Sequence, residues 1–217
     1  MKLKVLGSSS KGNCYLLEND NECLIIEAGI HINEVKKALD YNIKKLVGCV
    51  ISHEHKDHSK YKNEYSNITK VFELSRETRQ FKAGNFIIKP FLNNHDIECF
   101  GFFIKHKDIG NLIFATDTYY LTFRFKDINH FLLECNYDKD LVKNEYLQNR
   151  LRFSHMELNR CISTLNANDL SKCNTILLLH PSESNLDKIK AKKIIQGEIG
   201  LPIDFAKSGM VLDLEGI

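Results

Sequence analysis

Ile51-Ser52-His53-Glu54-His55-Lys56-Asp57-His58 places three histidines and an aspartate within six residues, directly after an apolar run. Imidazole and carboxylate are suitable ligands for zinc and related divalent cations. His53 and His55 are two apart, so in extended chain they point the same way. Asp57 and His58 follow a turn and can face a second point. The spacing therefore permits two adjacent metal positions, one from His53 and His55 and one from Asp57 and His58. One loop cannot complete two positions, so more ligands must come from elsewhere. His95 in FLNNHD, Asp117 after the apolar run 113–115, and His180 after the apolar run 176–179 are the candidates. Each stands at the mouth of an apolar segment, where layered α/β proteins place function.

Two further titratable residues stand at element ends: Glu134 ends the run FLLE, and His155 lies in Ser154-His155-Met156-Glu157.

The elements around these residues read as strands in the first half: 3–6, 14–18, 23–27, 46–52, 70–73, 86–91, 100–104 and 112–115. GSSSKGN and NDN supply turn chemistry between the earliest of them. A helix is expected over 33–39, with Val35, Ala38 and Leu39 on one side. Later the rhythm becomes strand and helix. Strands are expected at 131–134, 175–179 and 210–214, and a lysine-rich helix at 187–196. Ser154 and Glu157 have capping-box spacing, which predicts a helix opening at Ser154. Two layers of sheet with helices outside follow from this order.

The chain of 217 residues is 43% hydrophobic and 27% charged, enough apolar material for a core and unlike a disordered composition. No repeat and no linker interrupts it, so one domain over 1–217 is expected. The net charge of +2 neither requires nor excludes nucleic acid. Seven cysteines contain no CxxC pair and several sit in apolar runs, which reads as buried thiols in a reducing compartment. No run approaches the ~20 apolar residues of a membrane span. The opening MKLKVLGSSSKG lacks the apolar core of a signal peptide. A cytoplasmic protein without membrane association is expected.

The order HxHxDH, His, Asp, His resembles the hydrolase pattern of the metallo-β-lactamase fold superfamily. The resemblance implies a four-layer αββα sandwich with a binuclear metal site at one edge. It implies His53, His55 and His95 on one ion, Asp57, His58 and His180 on the other, and Asp117 between them. Glu134 and His155 fall where nuclease branches keep a pair thought to protonate the leaving oxygen. The opening GSSSKGNCYLLE, the stretch LLECNYD and the segment LLLHPSESN resemble the small single-domain exonuclease-like branch known as YycJ or WalJ. Glu27 stands where the superfamily usually has an Asp that hydrogen-bonds to the metal loop. His155 is followed by Met-Glu-Leu-Asn, where the branch usually has Leu-Ser-Asn. Asp117 where zinc β-lactamases usually carry Cys argues against antibiotic hydrolysis, and His55 argues against the flavodiiron branch.

What this implies is a hydrolase with two divalent ions, zinc first and manganese second, and a metal-bridging hydroxide as nucleophile. Asp57, Glu134 and His155 are the expected catalytic residues. The expected substrate is a nucleic-acid phosphodiester, DNA or RNA. Ser182, Asn185 and Lys188 are candidate substrate contacts, with Ser182 read as a phosphate ligand near a helix start and the helix lysines as backbone contacts. The alternative is a small-molecule hydrolase of esters, thioesters, lactones or cyclic nucleotides. For that reading Phe100, Phe102, Phe103, Tyr119, Tyr120 and Phe123 are candidate pocket residues.

Overall fold

The computed structural model describes residues 1–216. In chain order the first elements are β1 (Lys2–Ser9), β2 (Gly12–Glu18), β3 (Cys23–Ile26), α1 (Ile32–Ala38), β4 (Leu46–Val50), α2 (Lys56–Ser59), α3 (Lys62–Ser66), β5 (Val71–Phe72), β6 (Phe81–Ala83), β7 (Phe86–Leu92) and β8 (Phe100–His106). Then come β9 (Gly110–Ala115), β10 (His130–Glu134), α4 (Glu145–Ser154), α5 (Leu158–Asn166), β11 (Thr175–Leu179), α6 (Lys188–Ile199), β12 (Ile203–Phe205) and β13 (Met210–Asp213). The strands form a six-stranded sheet ordered β13-β1-β2-β3-β4-β5 and a seven-stranded sheet ordered β12-β11-β10-β9-β8-β7-β6.

Side-chain alternation along the strands builds the layers. In β2, Tyr15 and Leu17 enter the core between the sheets, where they meet Phe86, Phe102, Phe114 and Leu132. Cys14 and Leu16 point the other way, into a layer closed by Ile32 and Val35 of α1 and Tyr65 of α3. In the second sheet Phe131, Leu133, Ile176 and Leu178 face outward under Leu158, Cys161 and Leu165 of α5 and Ala191 and Ile195 of α6. Strands buried on both faces read as unbroken apolar runs, which is why 175–179 was legible. The result is the expected αββα arrangement. All seven cysteines are free thiols and six are buried, three of them in the outer layer of the first sheet.

The strand directions decide where a site can form. β3, β4 and β5 are parallel, as are β9, β10, β11 and β12. Carboxyl ends of parallel strands gather at one edge, the usual place for ligands in such sheets. Among the described residues no helix is long and apolar enough to cross a membrane.

Two local expectations need correction. Ser154 does not open a helix; it is the last residue of α4, and its hydroxyl donates to the Arg150 carbonyl. Glu157 caps α5 instead, its carboxylate accepting from the N–H groups of Asn159 and Arg160. An acidic side chain satisfies the same orphan N–H groups that a serine would. Likewise Ser182 lies six residues before α6, whose first free N–H groups donate to Asp187. Ser182 therefore has no helix start beside it.

Candidate active site

Each predicted ligand leaves an element at the same edge. His53 and His55 follow β4, Asp57 and His58 lie in the single turn of α2, and His95 follows β7. Asp117 follows β9 and His180 follows β11. Glu27, Asp117 and His180 have φ of 71°, 49° and 51°, the left-handed region that non-glycine residues seldom adopt. Such conformations cost free energy and persist where the surroundings fix them, characteristically at functional sites. Here they turn side chains out of the strand ends and toward one another.

The donor atoms converge. His53 Nε2 and His95 Nε2 lie 3.1 and 3.3 Å from His55 Nδ1. Asp117 Oδ2 lies 3.7 Å from His53 Nε2, 3.4 Å from His58 Nε2 and 3.9 Å from His95 Nε2. Asp57 Oδ2 lies 3.3 Å from His58 Nε2 and 3.4 Å from His180 Nε2. Two groups of four thus fit around a cation each, His53/His55/His95/Asp117 and Asp57/His58/Asp117/His180, with Asp117 common to both.

The surroundings suit cations. Nδ1 of His53 pairs with Ser52 Oγ at 2.8 Å, and Nδ1 of His95 with the Ser154 carbonyl at 2.8 Å. Glu27 Oε2 lies 3.4 Å from Nδ1 of His58. Outer partners of this kind fix ring orientation and leave the other nitrogen for a metal. His180 Nε2 is buried without a hydrogen-bond partner. Burial, then the neighbouring His58, lowers the His53 pKa to about 2, so its lone pair is free. Burial opposes charge on His180, yet Asp117, Asp57 and Glu134 raise it to about 10. Asp57 is held well below the carboxylate range, because His180 and His58 outweigh its burial. The carboxylates call for positive charge at this point, which a bound cation would supply.

Glu134 and His155 adjoin the cluster. Glu134 Oε1 lies 2.7 Å from His155 Nδ1, and the His155 ring stacks on His180 at 5.3 Å. Glu134 Oε2 accepts from the backbone N–H of Thr118 at 2.7 Å and of Met156 at 3.3 Å, which fixes the carboxylate. Asp117, Glu134, His155 and His180 form a third group able to surround a cation. Burial opposes protonation of His155, but Glu134 and Asp117 outweigh it and raise its pKa.

The metal loop is supported from below. Ala28 N–H donates to the His58 carbonyl at 2.7 Å, and Ser52 N–H to Glu27 Oε2 at 3.2 Å. Glu27, despite its extra methylene, therefore bridges β4 and His58. A Cβ on Gly29 would stand 1.7 Å from the Asp57 carbonyl, so only glycine fits.

Two hollows flank the cluster. One, of about 300 Å³, is lined by Ser9, Lys11, Arg150, His155, His180 and Ser182. Asn185 contributes a backbone N–H to Ser182 Oγ, and Lys188 lines a neighbouring hollow with Lys11. The other, of about 560 Å³, carries Leu92, His95, Ile97, Tyr119 and Phe123. Of the remaining aromatics proposed for a pocket, Phe100 and Phe102 are in the core between the sheets, Phe103 packs under the outer layer and Tyr120 is exposed. Sequence reasoning did not single out Asn13, Ser52, Thr118, Arg150 or Asn136 as contributors. Asn136, whose Nδ2 donates to the His180 carbonyl at 2.7 Å, follows Glu134 by two.

The comparisons with known proteins agree with this geometry. Residues 9–59, which contain the whole HxHxDH stretch, match the model of the metallo-beta-lactamase superfamily. Over the rest of the chain the likeness is one of fold: a metallo-beta-lactamase fold protein, YhfI from Bacillus subtilis, superposes with a TM-score of 0.77 over 98% of this chain and 99% of that one, at 17% identity. The chain is thus similar to the metallo-β-lactamase superfamily in its metal-loop segment and shares that fold. It is also 24% identical to exodeoxyribonuclease WalJ of Streptococcus pneumoniae, with 94% of this chain and 92% of that protein covered. It is 25% identical to exodeoxyribonuclease YycJ of Bacillus anthracis over 66% of each chain. Beside these likenesses stand the His/Asp groups that could hold metal ions.

Proposed function

We propose that this chain, read as one hydrolase domain over 1–217, is a binuclear metal-dependent phosphodiesterase that degrades nucleic acid from an end. The observation that carries the reading is the Glu134–His155 pair at 2.7 Å beside the two ligand groups. Expulsion of a sugar alkoxide from a phosphodiester needs such a donor, whereas the thiolate of a thioester leaves without one. The exodeoxyribonuclease relatives support the same substrate class.

His53, His55 and His95 would hold one ion, Asp57, His58 and His180 the other, and Asp117 both. Zinc is the first candidate and manganese the second, since oxygen donors contribute. When bound, two such ions lower the pKa of a water between them and offset charge on the electrophilic oxygen. The chain supplies the rest. Glu134 holds His155 Nδ1, so that the proton on Nε2 is available to the departing oxygen. Lys11, Arg150 and Ser182 beside His155 suit a phosphate of the same strand. The compartment that fits is the cytoplasm.

One observation favours a second reading. The hollow with Leu92, Ile97, Tyr119 and Phe123 beside His95 would accept an apolar acyl or aryl group, as a small-molecule hydrolase needs. Activity on 5′-labelled single- and double-stranded DNA and RNA, beside chromogenic esters, thioesters and cyclic nucleotides, separates the two. Zinc- and manganese-loaded protein should cut a polymer, and Asp57→Ala should abolish it. Turnover of esters alone, at confirmed metal occupancy, would overturn the nuclease reading.

A further inference from the structure

Asn13, the second residue of β2, is fully buried at the base of the second ligand group. Its backbone carbonyl accepts from Gly29 N–H at 3.0 Å, which ties it to the loop that supports Asp57. Its Nδ2 lies 3.1 Å from the Ser9 carbonyl, 3.3 Å from the Asp57 carbonyl, 3.3 Å from Asp57 Oδ2 and 3.0 Å from His58 Nε2. We propose that Asn13 is a positioning residue for the second cation, holding the Asp57 carboxylate in place by donation from its amide.

Three points carry this. The amide orientation is dictated by chemistry. Turned over, Asn13 would set its own oxygen against three oxygens of Ser9 and Asp57 with no donor among them. Second, two N–H groups serve four neighbours. One suits the Ser9 carbonyl. The other faces Asp57 and His58, and once His58 Nε2 is given to a cation, the acceptors left are the carboxylate and the carbonyl of Asp57, each at 3.3 Å, so this N–H holds Asp57 by both. Third, Asp57 is the member of the second group that most needs fixing. Its side chain is 21% exposed, against 0% for His58, 5% for His180 and 3% for Asp117. The other end of the amide shows what the arrangement costs, since Asn13 Oδ1 is buried without a partner among the described residues. An apolar residue of the same size would avoid that penalty. Nothing in packing alone calls for an amide here.

The inference rests on the two-cation reading above, and one experiment separates them. Full-length wild type, Asn13→Leu and Asn13→Ala are loaded with zinc or manganese and dialysed against graded chelator. Ions per chain are counted by elemental analysis, and the Tm of the stripped chain is recorded. Wild type should hold two ions. Both variants should release one ion at roughly 10- to 100-fold lower chelator, the usual effect of losing an outer-shell partner. The other ion should keep its wild-type threshold. Retention of both ions at the wild-type threshold would overturn the proposal. So would a parallel weakening of both ions together with a fall in the stripped-chain Tm, which is the mark of a merely structural residue. A wild type that holds a single ion would defeat the two-cation reading, and the role of Asn13 with it.

Discussion

Glu134 Oε1 stands 2.7 Å from His155 Nδ1, although the two residues come from different elements, a strand end and the link between two helices. That link is extended at His155, with φ −135° and ψ 155°, and is held by α4 on one side and the Glu157 cap of α5 on the other. The carboxylate fixes the ring, its tautomer and its charge together.

The pH dependence follows from that pair. His155 must be protonated to act as the acid, so activity should fall as pH rises through its raised pKa. Glu134→Gln removes the first of the causes that raise it. The alkaline limb of kcat/KM should then move to lower pH, toward or below the ~6.5 of an ordinary imidazole. A pH–rate profile of both proteins checks this. An unmoved alkaline limb would assign it to another group.

Glu27 tests the support of the metal loop. Its carboxylate reaches Ser52 N–H at 3.2 Å and His58 Nδ1 at 3.4 Å from a backbone already in the left-handed region. Glu27→Ala should weaken metal retention by about 10- to 100-fold. Glu27→Gln, which keeps an acceptor of the same reach, should lose much less. Metal content after dialysis against chelator reads the difference.

Gly29→Ala should be severely destabilising, because the added Cβ would meet the Asp57 carbonyl at 1.7 Å. A loss of about 3 kcal/mol or more is expected for overpacking against backbone. Denaturant unfolding gives it as a lower midpoint at unchanged slope.

How much of this was legible in the chain depends on where the information lies. HxHxDH exposed four candidate ligands because they are neighbours in sequence. His95, Asp117 and His180 were legible because each ends an apolar run. The double burial of β2 and β11 appeared as unbroken apolar stretches. By contrast, α4 was missed. Of its ten residues only Leu151 and Ser154 are buried, so its apolar stripe is too thin to read. The boundary at Ser154 was misread because serine and glutamate three apart satisfy a pattern that a glutamate cap also satisfies locally. The left-handed turns at Glu27, Asp117 and His180 have no sequence signature, since tertiary contacts impose them. Asn13 looked like a turn residue, and its amide acquires meaning only when Asp57 arrives from forty-four positions away.

The central claim is that His155 protonates the leaving oxygen of a phosphodiester. Its most direct test compares two substrates in metal-loaded wild type and His155→Ala. One is a DNA strand, whose leaving alkoxide needs a proton. The other is a nitrophenyl phosphodiester of thymidine, whose nitrophenolate leaves without one. The account predicts a loss of roughly 10²- to 10⁴-fold on DNA, typical of a missing general acid, and little change on the nitrophenyl ester. Equal losses on both substrates would contradict it.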